Sequence, residues 1–351
     1  MKLLQETLDS ITGLDPEKLK VAQERVDGLS KPPGSMGKLE EIAVQLGGMG
    51  GTVWQDVSKK AAIVMCADNG IALEGVTSCP QELTRMVAEL MVVEKAGINV
   101  LTGNAGGDVF LVDLGMASDI NHPKMLNRKV RYSTENFRNK PAMTREEAIQ
   151  SIEEGIRLVD ELVQKGYRMF GAGEVGMGNT TTSSAILYSF VGGEIEKLVG
   201  RGAGLTDEAL QNKMKIVKEA VDFHNPDRND PIDILAKVGG LDIGGMAGIY
   251  LGAAKNRVPA VIDGFMSGVA AVLAYKLKPE CKQYLIPSHG SEEPGTVKVM
   301  DILGMEPMLN MNMRLGEGTG AALAFYIVDC ATKMMTQWGK FAELGTVKLD
   351  D

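Results

Sequence analysis

The 351 residues carry a net charge of −9, with 44% hydrophobic and 24% charged side chains, the make-up of a folded globular chain. That length can bury a large core in one big α/β domain or two smaller ones. An acidic chain without a long basic run lacks the electrostatic footprint of a nucleic-acid binder, so nucleic acid is excluded as the expected partner.

The N-terminal stretch MKLLQETLDSITGLD is interrupted by acidic residues before an apolar leader core could form. A helix opened by Asp15-Pro16 and ending near Gly28 follows. Short apolar runs then alternate with longer helical patterns. Strands are predicted at Ala61–Cys66, Val109–Leu114, Tyr167–Gly171, Pro259–Ile262, Gln283–Ile286 and Pro307–Asn310. Helices are predicted at Thr144–Lys165, where Thr144 and Glu147 form a capping box, at Asn179–Phe190, at Asp207–Phe223 after Thr206, at Phe265–Lys276 and at Thr319–Gln337. This alternation predicts an α/β fold with a parallel, Rossmann-like sheet, right-handed crossovers and helices on both faces. Residues 1–35 and 330–351 are expected to pack together as a small helical subdomain, leaving 36–329 as the large α/β catalytic domain.

No uncharged apolar run reaches membrane-spanning length; the nearest, VPAVIDGFMSGVAAVLAY, contains Asp263. Cys66, Cys79, Cys281 and Cys330 lack metal-ligand or CxxC spacing, and reduced thiols fit a cytoplasmic protein. His122, His224 and His289 are scattered, so no metal site is expected.

Ligands of open parallel sheets bind beyond the carboxyl ends of the strands. The six predicted strands exit into Asp68-Asn69-Gly70, Asp113-Leu114-Gly115, GAGEVGMGNTT (171–181), Asp263-Gly264, PSHGSEEPG (287–295) and NMNMRLGEGTG (310–320). All are small and polar, and together they read as one active-site rim. Gly171, Gly173 and Gly176 satisfy GxGxxG, which admits a dinucleotide fingerprint. No acidic residue ends a second strand about twenty positions on, however, and Asn179-Thr180-Thr181 follows instead. Backbone N–H groups and hydroxyls at a helix start suit a phosphate; an ordinary strand-to-helix turn is the alternative. Gly200, Gly202 and Gly204 allow close backbone approach to an anion, and Lys213 could fold back as a point charge or lie solvated on its helix face. Glu317, between glycines, is either a helix-dipole acid or a general base; Glu174 has an equally glycine-rich setting.

LSKPPGSMGKLE (29–40), GAGEVGMGNTT, VGRGAGL (199–205), PAVIDGF (259–265), PSHGSEE and NMRLGEGTGAALA (312–324) occur in order along nearly the whole chain. Through them the sequence resembles the nicotinate-nucleotide–dimethylbenzimidazole phosphoribosyltransferase family, which prepares the lower nucleotide of cobalamin. The resemblance implies a six-stranded parallel sheet, a small helical domain from both termini, and a homodimer, or a heterodimer with a related chain. It implies no cofactor and no metal. It makes Glu317 the general base and sets Glu174 beside the ribose and the acceptor. Gly176, Gly178, Asn179, Thr180, Gly202, Gly204 and Lys213 would hold the 5′-phosphate. Asp263, Ser291, Arg314 and Gly316 would border ribose and nicotinate. Cys79, Val87, Val175, Met177 and Leu315 would line the acceptor pocket. The substrates would be nicotinate mononucleotide and an aromatic base or a phenol.

The sequence departs from the family pattern at Asn69, where relatives commonly carry histidine, and at Cys79 and Val87, which replace a Ser and a Gln. Two polar contacts to the acceptor would then be missing. A Rossmann-type NAD(P) oxidoreductase and a non-catalytic partner subunit remain as alternatives at this stage.

Overall fold

The structure, a computed structural model, describes residues 2–50 and 56–344. Six parallel strands form the main sheet: β1 (Lys60–Ala67), β2 (Asp108–Gly115), β3 (Met125–Asn127), β4 (Met169–Val175), β5 (Ala260–Ile262) and β6 (Leu285–Pro287). Their order is β3-β2-β1-β4-β5-β6. The winding direction therefore reverses between β1 and β4, and the loops leaving those two strands diverge to opposite faces and open a crevice. A second, two-stranded parallel sheet pairs β7 (His289–Ser291) with β8 (Leu309–Met313).

The strand prediction needs two corrections. The Pro307–Asn310 run is not the sixth strand of the sheet; it contributes to β8, whose Asn-Met-Asn side chains are exposed. The sixth place belongs to β3, three residues long and too short to carry a period-two signal. The third strand also starts and ends later than the predicted Tyr167–Gly171. It runs through Val175 and is buried throughout, so Glu174 sits on a central strand rather than in a loop. Gly171 and Gly173 disguise it, because glycine weakens strand propensity and often marks a close backbone approach.

The helices follow their end signals closely. Thr144 accepts a hydrogen bond from Glu147 N and caps the Arg145–Gln164 helix, Thr206 caps Asp207–His224, and Thr319–Gln337 matches its predicted span. One central helix has no sequence signal: Leu241–Lys255, whose residues 241–254 are all buried. Its four glycines and lack of a polar face hide the 3.6-residue period. They also explain its position. It crosses Arg145–Gln164 so closely that a Cβ on Gly155 would meet Gly245 O at 2.1 Å, and one on Gly248 would meet Ile152 O at 2.0 Å.

The chain ends meet. Asp15 caps the Pro16–Asp27 helix through Glu17 N and Lys18 N, and Arg25 donates to Met335 O (2.9 Å) and Trp338 O (2.6 Å) at the end of the last helix. Met1 and residues 345–351 of the expected terminal subdomain lie outside the described residues. Among the described residues no helix is long and apolar enough to cross a membrane.

Gly155→Ala is expected to destabilise the protein by about 1–3 kcal/mol, since neither backbone can yield without repacking both helices. Gly103→Ala, where an added Cβ meets nothing within 4 Å, should be neutral or slightly stabilising. Thermal unfolding of the two variants against wild type checks the contrast.

Candidate active site

A cleft of about 560 Å³ opens beyond the carboxyl ends of β4 and β5 and is walled by the β7–β8 ribbon, a size that suits small-molecule ligands. It gathers segments far apart in the chain: the β4 exit, Gly202-Ala203, Gly264-Phe265-Met266, the β7 strand and its exit, and the turn after β8. Of the sequence-predicted residues it brings together Cys79, Val87, Glu174, Val175, Gly176, Met177, Gly178, Asn179, Thr180, Gly202, Ser291, Arg314, Leu315, Gly316 and Glu317. Gly204, Lys213 and Asp263 do not line it.

Two predicted exits stay out of the site. Asp68 accepts Ala117 N at 2.8 Å, and Asp113 accepts Met116 N at 2.9 Å and pairs with Lys129 at 3.1 Å. Both carboxylates thus stitch buried loops. Asn69 is fully buried beneath the β4 exit, with its amide 3.4 Å from Met177 O.

Glu317 is held in an uncommon backbone state. Gly316, Glu317 and Gly318 have φ of 85°, 63° and 88°. A left-handed glutamate costs on the order of 1 kcal/mol or more and persists only where its surroundings impose it. Those surroundings are visible. Asp263, at the end of β5, accepts Gly320 N (2.6 Å) and Ala321 N (3.1 Å) through Oδ1 and Gly318 N (3.1 Å) through Oδ2. Glu174 Oε1 accepts Glu317 N at 3.3 Å. Gly173 lets the turn lie directly on β4, where a Cβ would sit 2.4 Å from Glu317 O. The GxGxxG pattern is thereby accounted for without a dinucleotide. Gly171 makes room for Ala321 and Phe325, Gly173 for Glu317, and Gly176 for Ala67 O.

The carboxyl groups here differ in environment. Glu174 is buried, hydrogen-bonded by Asn179 Nδ2, and its pKa lies well above the carboxylate range through burial, with Asp242 and Asp263 adding to the rise. Burial thus disfavours its ionised form. Glu317 is half-buried, and its pKa is raised by burial and then by Asp263. Its carboxylate has no hydrogen-bond partner among the described residues, so it is free to accept a proton in the cleft. Burial lifts Asp263 to about 6. Its observed contacts are the backbone amides of the Glu317 turn and the helix after it, and it does not itself line the cleft.

Lys213 overturns the solvated alternative. It is fully buried behind the cleft floor and donates to Thr180 Oγ1 (2.8 Å) and Gly200 O (3.0 Å). Burial lowers its pKa to about 8, against a smaller opposing effect of Glu293. Among the described residues no carboxylate pairs with it. A buried, unpaired ammonium beneath a glycine loop favours an anion at that point. His289 and Glu293 also line the cleft; residue chemistry alone does not single them out, although both lie in the PSHGSEE segment.

The phosphoribosyltransferase family model matches residues 11–346. The chain belongs to this family. It is 50% identical over 347 residues to the nicotinate-nucleotide–dimethylbenzimidazole phosphoribosyltransferase of Clostridium tetani, covering 99% of this chain and 96% of that one. It is also 50% identical over 341 residues to the protein of the same name from Acetivibrio thermocellus, covering 97% of each. Among solved structures it resembles CobT from Thermus thermophilus, with a TM-score of 0.90, 35% identity, and coverage of 95% of this chain and 100% of the other. The oxidoreductase alternative finds no such support.

Asp263→Asn removes one acceptor oxygen and the charge that raises Glu317. It is expected to cost about 1–3 kcal/mol of stability and to lower turnover at least about tenfold. The acid limb of the kcat/KM profile should also move to lower pH, because a negative neighbour that disfavours ionised Glu317 is gone. Kinetics across pH on the folded variant check this, and a purely structural Asp263 would leave the limb in place.

Proposed function

We propose that this enzyme moves the 5-phosphoribosyl group of nicotinate mononucleotide onto a ring nitrogen of dimethylbenzimidazole or a related aromatic acceptor, releasing nicotinate and the α-riboside phosphate. The observation that carries this is the unpaired Glu317 carboxylate at one side of a cleft whose floor, at Thr180 and Gly202, is backed by the unpaired Lys213 ammonium. Those two features match the two demands of the reaction, a base for the acceptor and an anchor for the phosphate.

The nicotinate of the mononucleotide is a pyridinium and departs without an acid. Positive charge then spreads over C1′ and the ring oxygen, and the ionised Glu317 stabilises it. The acceptor nitrogen attacks C1′ on the face opposite the departing ring, which inverts the β-nucleotide to the α-riboside. Glu317 takes the proton from the acceptor's second nitrogen; its raised pKa makes it a better base than an exposed carboxylate. Glu174 accepts the Glu317 N–H and so helps to fix the Glu317 turn. The free thiols of Cys66, Cys79, Cys281 and Cys330 fit a cytoplasmic location, and exposed Met86, Leu90, Val93 and Val100 offer an apolar face to a second copy in a homodimer.

Glu317→Gln should keep the fold and lower kcat by about 10²–10⁴-fold. In wild type the base must be ionised, so activity is lost as pH falls through the Glu317 pKa, above the ordinary value near about 4.3. Mass spectrometry of the riboside product and a pH–rate series measure both, and a Gln variant with more than about a tenth of wild-type rate would remove Glu317 from the role.

Half-buried Cys79 and Val87 line the acceptor side of the cleft with Leu83. An apolar wall imposes no penalty for an unpaired polar group, whereas a buried Gln or Ser would cost about 1–3 kcal/mol against an apolar ring. Acceptors with less hydrogen-bonding capacity, phenols included, should therefore compete. With dimethylbenzimidazole and p-cresol together, the Cys79→Ser, Val87→Gln double variant is expected to shift product toward the benzimidazole; an unchanged ratio would show that these positions do not read the acceptor.

A further inference from the structure

The anion cradle already holds an anion of its own. Glu293 follows β7 and is 7% exposed. Its Oε1 accepts the Gly202 backbone N–H at 2.8 Å, an amide of the glycine loop that lines the cleft. Its Oε2 is buried and has no hydrogen-bond partner among the described residues. The loop is shaped around this carboxylate: a Cβ on Gly200 would lie 1.9 Å from Oε2. Lys213 donates to Gly200 O in the same loop but forms no ion pair with Glu293.

A carboxylate that only anchored a loop would be expected to satisfy both oxygens, since an unpaired buried acceptor is costly. Here one oxygen is left over, and the other occupies a donor that a phosphate in the cleft would use. We propose that Glu293 is a resident competitor of the substrate phosphate: it holds the Gly202 amide while the cradle is empty and is displaced when phosphate enters. The residue sets phosphate affinity downward, by like-charge repulsion and by competition for one amide. The phosphorylated product faces the same opposition and leaves more readily.

This inference rests on the phosphate reading of the cradle, and the experiment separates the two. Calorimetric affinities for nicotinate mononucleotide and for its dephosphorylated riboside are measured on full-length wild type, Glu293→Gln and Lys213→Ala. Gln keeps an oxygen for Gly202 N but carries no charge. The expected result is mononucleotide bound at least about threefold more tightly by Glu293→Gln, riboside affinity unchanged, and mononucleotide bound more weakly by Lys213→Ala. If Lys213→Ala loses affinity while Glu293→Gln, which lacks the charge, and Glu293→Asp, which lacks the reach to Gly202 N, both bind the mononucleotide no better than wild type, the competitor role of Glu293 is overturned and the phosphate reading stands. If Lys213→Ala leaves mononucleotide affinity unchanged, the phosphate reading falls and the Glu293 proposal with it. Glu293→Asp tests the amide competition separately: it keeps the charge but is too short to reach Gly202 N, and tighter mononucleotide binding is again expected, also where the Gln variant does not fold.

Discussion

The contact on which the site depends is the approach of the Gly316-Glu317-Gly318 turn to the backbone of β4. Gly173 has no side chain to keep the turn away, and Asp263 draws it down with three backbone hydrogen bonds. The left-handed conformation of Glu317 is unfavourable in isolation. It is retained because the turn is fastened on both sides, to β5 through Asp263 and to β4 through Glu174. The same hydrogen bonds hold the first turn of the Thr319–Gln337 helix to the end of β5.

Charge is distributed in the cleft with comparable economy. Of the three acids, Asp263 raises the proton affinity of both Glu174 and Glu317, and Glu317 adds to that of Glu174. Only the one with no protein partner for its carboxylate is left to react. Burial disfavours the ionised form of Glu174, and Asp263 is stabilised by the amides it accepts. At the other end, the buried Lys213 hydrogen-bonds to neutral partners, with the Glu293 carboxylate favouring its charged form through space.

The Rossmann-like winding and the GxGxxG segment invite a nucleotide-cofactor reading, and the geometry shows how a shared pattern serves another end. Glycine permits backbone approach; what approaches is decided elsewhere. In this chain the approaching groups are protein: Phe325, Glu317 O and Ala67 O.

Much of this protein was legible in its sequence because local rules were strong there. The capping box of Thr144 and Glu147, the Asp15-Pro16 start and the polar strand exits mark helix ends and loops by hydrogen-bond chemistry between near neighbours. The ordered motifs identified the family, and with it the glutamate pair and the glycine loop. Other features needed the tertiary structure, since they depend on residues far apart in the chain. Leu241–Lys255 is a helix because Arg145–Gln164 fits against its glycines, and no periodicity announces that. The β4 strand runs through Glu174 because it is paired to β1 there, Met65 opposite Glu174 and Cys66 opposite Val175. Lys213 reads as a surface lysine until the fold buries it, and only the fold brings the Asp263 oxygens to three amides from 55 to 58 residues later. Sequence determined which groups are present and the order of the elements; only packing decided which of those groups are held by the protein and which are left free for a substrate.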